Sequence, residues 1–337
     1  MMQPPAQAGT SPARIWGGHP RTTTTVGAPS LAETLQELAV MFPPETALSW
    51  DRVGLVVGDP AQPVRRIWFA VDPTLDVVED AVADGTDLLV THHPLLLRGV
   101  HSVATTSAKG AVITRLIRAG LALATAHTNA DVADPGVCDA LTEVFGLADV
   151  VPLTHEEGRP LGRLGRLPET MSLRDFAAAV ASVLPAAPVG IRVAGPAQAP
   201  VTTVAVLGGA GDGLFDAVRA AGADVYVTAD LRHHPALEAR EEARGGPPYL
   251  VDAGHWATEW VWLSAAAERL RQALAARGLA VTTTVSNRCT DPWSFVLGAS
   301  TPDEDEPGHG PAVRRSERTD RGDFERNAQA NEGIRRG

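Results

Sequence analysis

Three short segments of this chain place histidines and carboxylates directly after apolar runs, where buried strands are expected to end. The pairs are His92 and His93, His127 and Asp131, and His255 and Glu259. In α/β sheets, ligands bind at the ends of the strands. Neutral imidazole and carboxylate are ligands of borderline divalent metals. The three pairs therefore predict a metal site assembled from separate parts of the chain.

The number of candidate ligands favours two metals. Neighbouring residues of a strand point to opposite faces, so His92 and His93 are expected to serve different metals from a strand end. His255 and Glu259 share one face of a helix if Thr258 lies in its first turn. Three or four imidazoles and two carboxylates exceed the three protein ligands of one catalytic metal and suit a two-metal site. Mixed nitrogen and oxygen ligands favour Zn, Mn, Fe, Co or Ni over Mg or Ca.

Spacing alone leaves a second interpretation open, in which the histidines are structural. A histidine at a strand end is more often a hydrogen-bonded polar residue than a ligand, and on spacing the two interpretations are about equally supported. His233 and His234 follow Asp230 at the start of a predicted helix, where helix capping or surface exposure explains them. Three further histidines show no pattern and are interpreted as surface residues: His101, His155 and His309.

The elements that must position these residues alternate between strand and helix patterns. Apolar periodicity predicts strands over 67–71, 87–91, 121–125, 203–207, 224–228, 249–251 and 281–285. It predicts helices over 74–83, 109–119, 137–145, 172–184, 214–221, 234–243 and 258–276. This alternation indicates an α/β fold in which helices cover sheets of parallel type.

The same patterns divide the chain into four parts. Residues 1–29 and 299–337 contain few apolar residues and are predicted to be disordered tails. Residues 30–155 form a first α/β part and residues 156–298 a second. A weak echo between residues 80–94 and 216–235, each ending in His-His-Pro, suggests two related halves; coincidence explains it equally well.

Composition restricts the partners. The 337 residues carry a net charge of −11 with no basic block in the folded part, which argues against nucleic acid as the main partner. No apolar run approaches the roughly 20 residues that span a bilayer, and the first 29 residues lack the apolar core of an export signal. Two cysteines provide neither a disulfide framework nor a thiolate metal site. A reducing cytoplasm is the expected compartment.

At these residues the chain resembles the NIF3 family, also called GTP cyclohydrolase I type 2 homologues or dinuclear metal centre hexameric proteins. The matching segments are residues 50–55 with 58–59, 87–94, 127–131 with 136, 227–230, and 252–255 with 259. The resemblance implies a NIF3-like fold of two related α/β domains with the metal site between them, and a homohexameric toroid. It implies two divalent metal ions per chain, held by His92, His93, Asp131, His255 and Glu259, with His127 beside them. Residues 151–191 are too few for the large insertion that some members carry.

Two functions follow from these ligands. One is a metal-dependent hydrolase of a small phosphoester, nucleotide or cyclic amide, in which Glu259 or Asp131 bridges the metals and His127 transfers protons. The family's GTP cyclohydrolase name suggests ring opening of GTP. The alternative is a non-enzymatic hexameric scaffold that stores, delivers or senses metal.

Other motifs leave their roles open. Residues 208–211, Gly-Gly-Ala-Gly, form either a tight turn or an anion-binding loop before a helix. Trp50, Asp51 and Gly54 match the family; Asp51 lines the site or belongs to a structural turn. The roles of Asp230 and His234 are not predicted.

Overall fold

The structure is a computed structural model that describes residues 27–298, and residues 27–295 belong to one compact unit. The helices are α1 Leu31–Met41, α2 Leu75–Ala83, α3 Ala108–Ala119, α4 Thr128–Asp131, α5 Val137–Val144, α6 Leu173–Val183, α7 Phe215–Ala220, α8 His233–Glu242, α9 His255–Trp260 and α10 Trp262–Ala276, with a 3₁₀ turn at Pro44–Thr46. The strands are β1 Gly54–Val57, β2 Arg66–Ala70, β3 Leu88–Thr91, β4 Ala122–Thr125, β5 Ala148–Glu156, β6 Arg159–Ser172, β7 Arg192–Ala194, β8 Pro200–Ala210, β9 Val225–Ala229, β10 Tyr249–Asp252 and β11 Thr282–Val285.

The first sheet has five strands in the order β1-β4-β3-β2-β11. Strands β4, β3, β2 and β11 are parallel to one another, and β1 pairs antiparallel with β4 at one edge. Strand β3 is buried on both faces: Leu88 and Val90 face one core, and Leu89 faces the other with α2 and α3. A parallel strand covered on both faces is largely apolar, which is why residues 88–90 of β3 form a continuous apolar run.

The second sheet has six strands in the order β5-β6-β8-β9-β10-β7. Strands β8, β9 and β10 are parallel, whereas β5, β6 and β7 join antiparallel. The β5–β6 hairpin lies where the sequence patterns predicted no strand. Most of β5 faces solvent, and the buried positions of β6 include Arg163 and Gly165 besides leucines, so neither strand shows a regular apolar alternation. The mixed α/β fold with two sheets confirms the predicted fold class.

The sheets do not follow the predicted division of the chain at residue 155. Strand β5 begins the second sheet at Ala148, and β11, near the end of the described chain, returns to the first sheet beside β2. The division into domains of residues 30–155 and 156–298 stays a prediction.

The predicted tails lie almost entirely outside the described residues. Residues 27–29 are part of the fold, since the carbonyl of Gly27 accepts from Ala280 and that of Pro29 from Val64. Within residues 27–298, no helix combines the length and apolarity needed to cross a bilayer. The cytoplasmic location stays a prediction.

Candidate metal centre

His92 and His93 lie directly after β3, at the carboxyl edge of the first sheet. Their backbone amides donate to the carbonyls of Ala70 and Val71, so the parallel pairing with β2 continues past the last residue of the strand. The two imidazole centroids are 5.1 Å apart. Both rings therefore reach one site, although the two residues are adjacent in the chain.

His127 and Asp131 flank the short helix α4, which follows the neighbouring strand β4. His127 is the residue before the helix, and its backbone amide donates to the side chain of Asn129. One turn later, Asp131 places Oδ1 3.7 Å from Nε2 of His92. The parallel strands β3 and β4 thus deliver their terminal histidines to the same edge of the sheet.

His255 and Glu259 come from the other half of the fold. Helix α9 begins at His255, three residues earlier than predicted, so the two side chains lie one turn apart on one face. Nε2 of His255 is 3.0 Å from Oε1 of Glu259. The helix follows β10 of the second sheet, so the site joins the ends of strands from both sheets.

Each of the four histidines has its Nδ1 held by an oxygen outside the cluster. The pairs are His92 with the Ala126 carbonyl at 3.1 Å, His93 with Asp72 at 2.7 Å, His127 with Asp51 at 2.9 Å, and His255 with Asp230 at 2.7 Å. An oxygen acceptor on Nδ1 places the proton there and leaves Nε2 with a free lone pair. This is the usual arrangement of metal-ligating histidines.

The free Nε2 atoms converge on Glu259. Its carboxylate oxygens lie 3.4 Å from Nε2 of His92 and 3.0 Å from Nε2 of His93, and the His93 and His255 Nε2 atoms are 3.2 Å apart. Ligand atoms of His92, His93 and His127 lie within 4.8 Å of one another, as do those of His93, His255 and Glu259. These groups of residues have the spacing that a metal ion requires.

Two buried atoms in this cluster lack hydrogen-bond partners: Nε2 of His92 and Oε2 of Glu259. The His92 side chain is fully buried and Glu259 is 4% exposed. The short His93–Glu259 distance is an ion-pair contact without hydrogen-bond geometry. Because a buried lone pair without a donor costs free energy, these atoms fit a cation better than they fit a protein core.

The charges within the cluster also favour binding of a cation. Burial opposes ionisation of Glu259, but His92, His93 and His255 outweigh it and hold the pKa of this carboxyl well below its usual range. Burial likewise opposes protonation of His93 and His255, but Glu259 together with Asp72 or Asp230 raises their pKa values to about 10 and about 11. Only one proton fits between two nitrogens 3.2 Å apart, whereas a divalent cation satisfies both lone pairs.

Asp131 has a different environment from Glu259. Burial raises its pKa, and the nearby Glu259 adds to this, while His92 and His127 act in the opposite direction. A carboxyl group in such a position is readily ionised once a cation binds beside it. Asp131 therefore suits a ligand position next to His92.

Three aspartates support the histidines: Asp72, which the sequence patterns did not identify, and Asp51 and Asp230, whose roles they left open. Asp72 lies two residues after β2 and was not considered, and Asp230 follows β9 directly. Asp51 is buried: it binds His127 through Oδ1 and accepts from the amide and hydroxyl of Thr128 through Oδ2. The signal for Asp72 and Asp230 was their position at strand ends, the same signal that identified the histidines.

The glycines at 208–211 divide between a strand and a turn: Gly208 and Gly209 belong to β8 and pack against α9, whereas the carbonyl of Gly211 accepts from the amide of Leu214 in the turn that follows. A Cβ at Gly209 would lie 2.2 Å from Oε1 of Glu259 and 3.1 Å from Nε2 of His255. The amide of Gly209 donates to the buried hydroxyl of Thr258. The glycines thus allow the strand to approach the helix that carries Glu259.

The other histidines of the described chain lie outside the cluster. His233 and His234 contact each other at the start of α8 and are exposed, and His101 and His155 are exposed on loops and strand β5. His309 lies outside the described residues.

Comparison with known proteins identifies the family that the chain resembles. Residues 29–292 match the model of the family described as Duf34/NIF3 (NGG1p interacting factor 3). A Streptomyces coelicolor protein named GTP cyclohydrolase 1 type 2 homolog is 50% identical over 271 residues, which cover 79% of this chain and 94% of that protein. A Mycobacterium tuberculosis protein of the same name is 35% identical over 374 residues, covering 79% of this chain and 97% of its own. That alignment is longer than this chain, so the mycobacterial protein contains inserted residues.

Solved structures show the same fold. A Bacillus cereus protein related to NIF3 superposes with a TM-score of 0.74 at 26% identity, covering 80% of this chain and all of the other. Reduced HcgD from Methanocaldococcus jannaschii superposes with a TM-score of 0.63 at 27% identity, covering 77% of this chain and 99% of its own. Both matches extend over nearly the whole length of the known structures.

Proposed function

The chain belongs to the Duf34/NIF3 family, and from this membership and the convergent histidines we propose that it binds two divalent metal ions and uses them for hydrolysis. The observation that carries the proposal is the set of four imidazoles, each anchored through Nδ1. Three of them, His92, His93 and His255, place Nε2 within 3.4 Å of the buried carboxylate of Glu259. The same residues could hold a metal ion on spacing alone.

The distances suggest how the ligands divide between two ions. His92 and Asp131 would hold one ion, and His93 and His255 the other. The carboxylate of Glu259 would contribute to both, since Oε1 lies 3.4 Å from Nε2 of His92 and 3.0 Å from Nε2 of His255, and Oε2 lies 3.0 Å from Nε2 of His93. The mixed nitrogen and oxygen set favours Zn, Mn, Fe, Co or Ni.

In a hydrolysis reaction the bound ions and the protein's own side chains would have different tasks. Divalent ions at such a site lower the pKa of a water molecule and polarise a substrate oxygen. His127 is held by Asp51 in the tautomer with Nε2 free, so it can accept a proton at that atom and return it to a leaving group. Substrates compatible with this chemistry are small phosphoesters, nucleotides and cyclic amides, the last in keeping with the cyclohydrolase name of the relatives.

The test is metal content per chain of protein purified without added metal. We expect about two divalent ions in the wild type and a loss of metal in His93→Ala and Glu259→Gln. His101→Ala, an exposed histidine outside the cluster, is the matched control and should retain the metal. A wild-type protein that neither contains nor reloads metal would contradict the proposal.

Turnover is tested separately on the metal-loaded protein with phosphoester, nucleotide and cyclic amide substrates. Activity that is lost in His127→Ala while the metal is retained would support hydrolysis with His127 as the proton-transfer group. One observation favours the alternative of a metal-binding protein without turnover: His92 and Glu259 are almost completely buried, which limits access to one side of the site. Two bound ions without activity on any of the three substrate classes would favour that alternative.

We also propose the homohexamer that the family resemblance implies. Light scattering should then give six times the chain mass of 35.3 kDa. The measurement is made on metal-loaded and metal-free protein, so that assembly and metal binding are separated. A monomer or dimer in both states would contradict the hexamer without affecting the metal site.

A further inference from the structure

Trp50 is a large aromatic residue beside the candidate metal centre that no contact in the fold explains. Its indole is 49% exposed. Its centroid lies 5.8 Å from that of His127, with the two ring planes at 80°.

The backbone that carries this exposed ring is fixed on both sides. Before it, the amide and hydroxyl of Ser49 donate to the carboxylate of Glu157 at 2.9 and 2.6 Å. After it, the carboxylate of Asp51 is bound by His127 and Thr128. The backbone position of Trp50 is therefore set in advance by its neighbours, and its ring packs edge-on against His127 while half of the residue remains exposed.

The ring also stands next to the imidazoles that face the metal centre. His127 lies 5.1 Å from His92 and 5.5 Å from His93 between ring centroids, so Trp50 is separated from the ligands by one side chain. A preorganised aromatic face at the edge of a polar site is the usual means of holding a planar ring by stacking.

We propose that Trp50 is a substrate-positioning residue that stacks on a planar aromatic or heteroaromatic ring, so that the substrate is a ring-bearing phosphoester or nucleotide. This inference rests on the proposed function, since the anionic group of the substrate must reach the metals. It adds that the group attached to the reacting bond is planar.

The test compares two phosphonates that differ only in the ring. Phenylphosphonate and methylphosphonate both present the same anion, and neither is hydrolysed, so binding is measured by calorimetry on the metal-loaded protein without any need for turnover. In the wild type we expect phenylphosphonate to bind about 10-fold more tightly than methylphosphonate. In Trp50→Leu this preference should fall to about 1, with unchanged affinity for methylphosphonate, and in Trp50→Phe most of it should remain.

Several outcomes would overturn the inference. Equal affinities in the wild type, no binding of either phosphonate, or a preference that survives in Trp50→Leu would each do so. A change of assembly state in Trp50→Leu with an unchanged preference would make Trp50 a subunit contact instead. Failure of the hydrolase proposal appears differently, as absent turnover beside a ring preference that still depends on Trp50.

Discussion

At the scale of single residues, the site depends as much on the groups behind the histidines as on the histidines themselves. A carboxylate on Nδ1 fixes the tautomer and the direction of the ring and increases the basicity of Nε2. Asp72 and Asp230 perform this role for His93 and His255, each at 2.7 Å. Burial acts against ionisation of Asp72, yet its hydrogen bond to His93 lowers its pKa; for Asp230 the bond to His255 is the main cause of a lowered pKa.

Replacing these aspartates should weaken metal binding without removing a ligand. We expect Asp72→Asn and Asp230→Asn each to reduce metal affinity by about 10- to 100-fold, because the amide no longer supports the imidazole charge. Competition against a chromophoric chelator measures this. Asp216→Asn, which changes an exposed carboxylate outside the site, is the control. Wild-type affinity in both site variants would show that the carboxylate charges behind His93 and His255 do not tune metal binding.

At the scale of elements, α9 holds Glu259 in place because β8 approaches it closely. Gly209 has a positive φ of +68°, a conformation that residues with a side chain rarely adopt. Its carbonyl accepts from Thr228 and its amide donates to Thr258, so the strand is bonded both to its neighbour β9 and to the helix. The register between β8 and β9 shifts between Val206 and Ala210, where β8 approaches the helix.

Gly209→Ala should therefore damage the metal site as well as the backbone. The positive φ destabilises an alanine by about 1–2 kcal/mol, and the new Cβ would displace Glu259, so we expect reduced metal content together with a lower unfolding temperature. Gly222→Ala separates the two effects, because Gly222 has a similar φ of +66° with open space around its Cβ position. It should lose stability and keep its metal. Equal metal loss in both variants would show that strain alone disrupts the site.

At the scale of the whole molecule, a buried ion pair connects the second sheet to the segment that carries Asp131. Arg163 of β6 binds both oxygens of Asp139 in α5 at 2.7 and 2.8 Å and donates to the carbonyl of Ala133. Its side chain is 5% exposed. Asp139 also accepts from the amide of Gly136, so one carboxylate orders the chain between α4 and α5.

Asp139→Asn should destabilise the whole fold, because it removes the negative charge that pairs with the buried guanidinium of Arg163. Breaking such a pair costs about 3–5 kcal/mol, which denaturant unfolding of the metal-free protein measures. Glu268→Gln, which removes an exposed helical ion pair with Arg271, is the control and should change the unfolding free energy little. A comparably small change in Asp139→Asn would mean that water or another acceptor already satisfies Arg163.

The sequence by itself determined the elements with strong periodicity and the residue types of the site. The apolar run before His92 and His93 and the four-residue spacing of His255 and Glu259 are local properties, and local patterns fix which residues end a buried strand or share a helix face. They also predicted the α/β class, which the two sheets confirm. The β5–β6 hairpin was missed because β5 is mostly exposed and the buried positions of β6 include Arg163 and Gly165, so neither strand shows a regular apolar alternation.

Only the tertiary structure decided how these residues meet. The distance between His93 and His255 depends on two sheets joined across 162 positions of sequence, and no local pattern contains that information. The same holds for Asp72 and Asp51, whose partners are 21 and 76 residues away. The role of Gly209 was hidden for a related reason. In sequence the glycine run indicates a tight turn or an anion-binding loop, whereas at Gly209 the missing side chain leaves the space that Glu259 occupies.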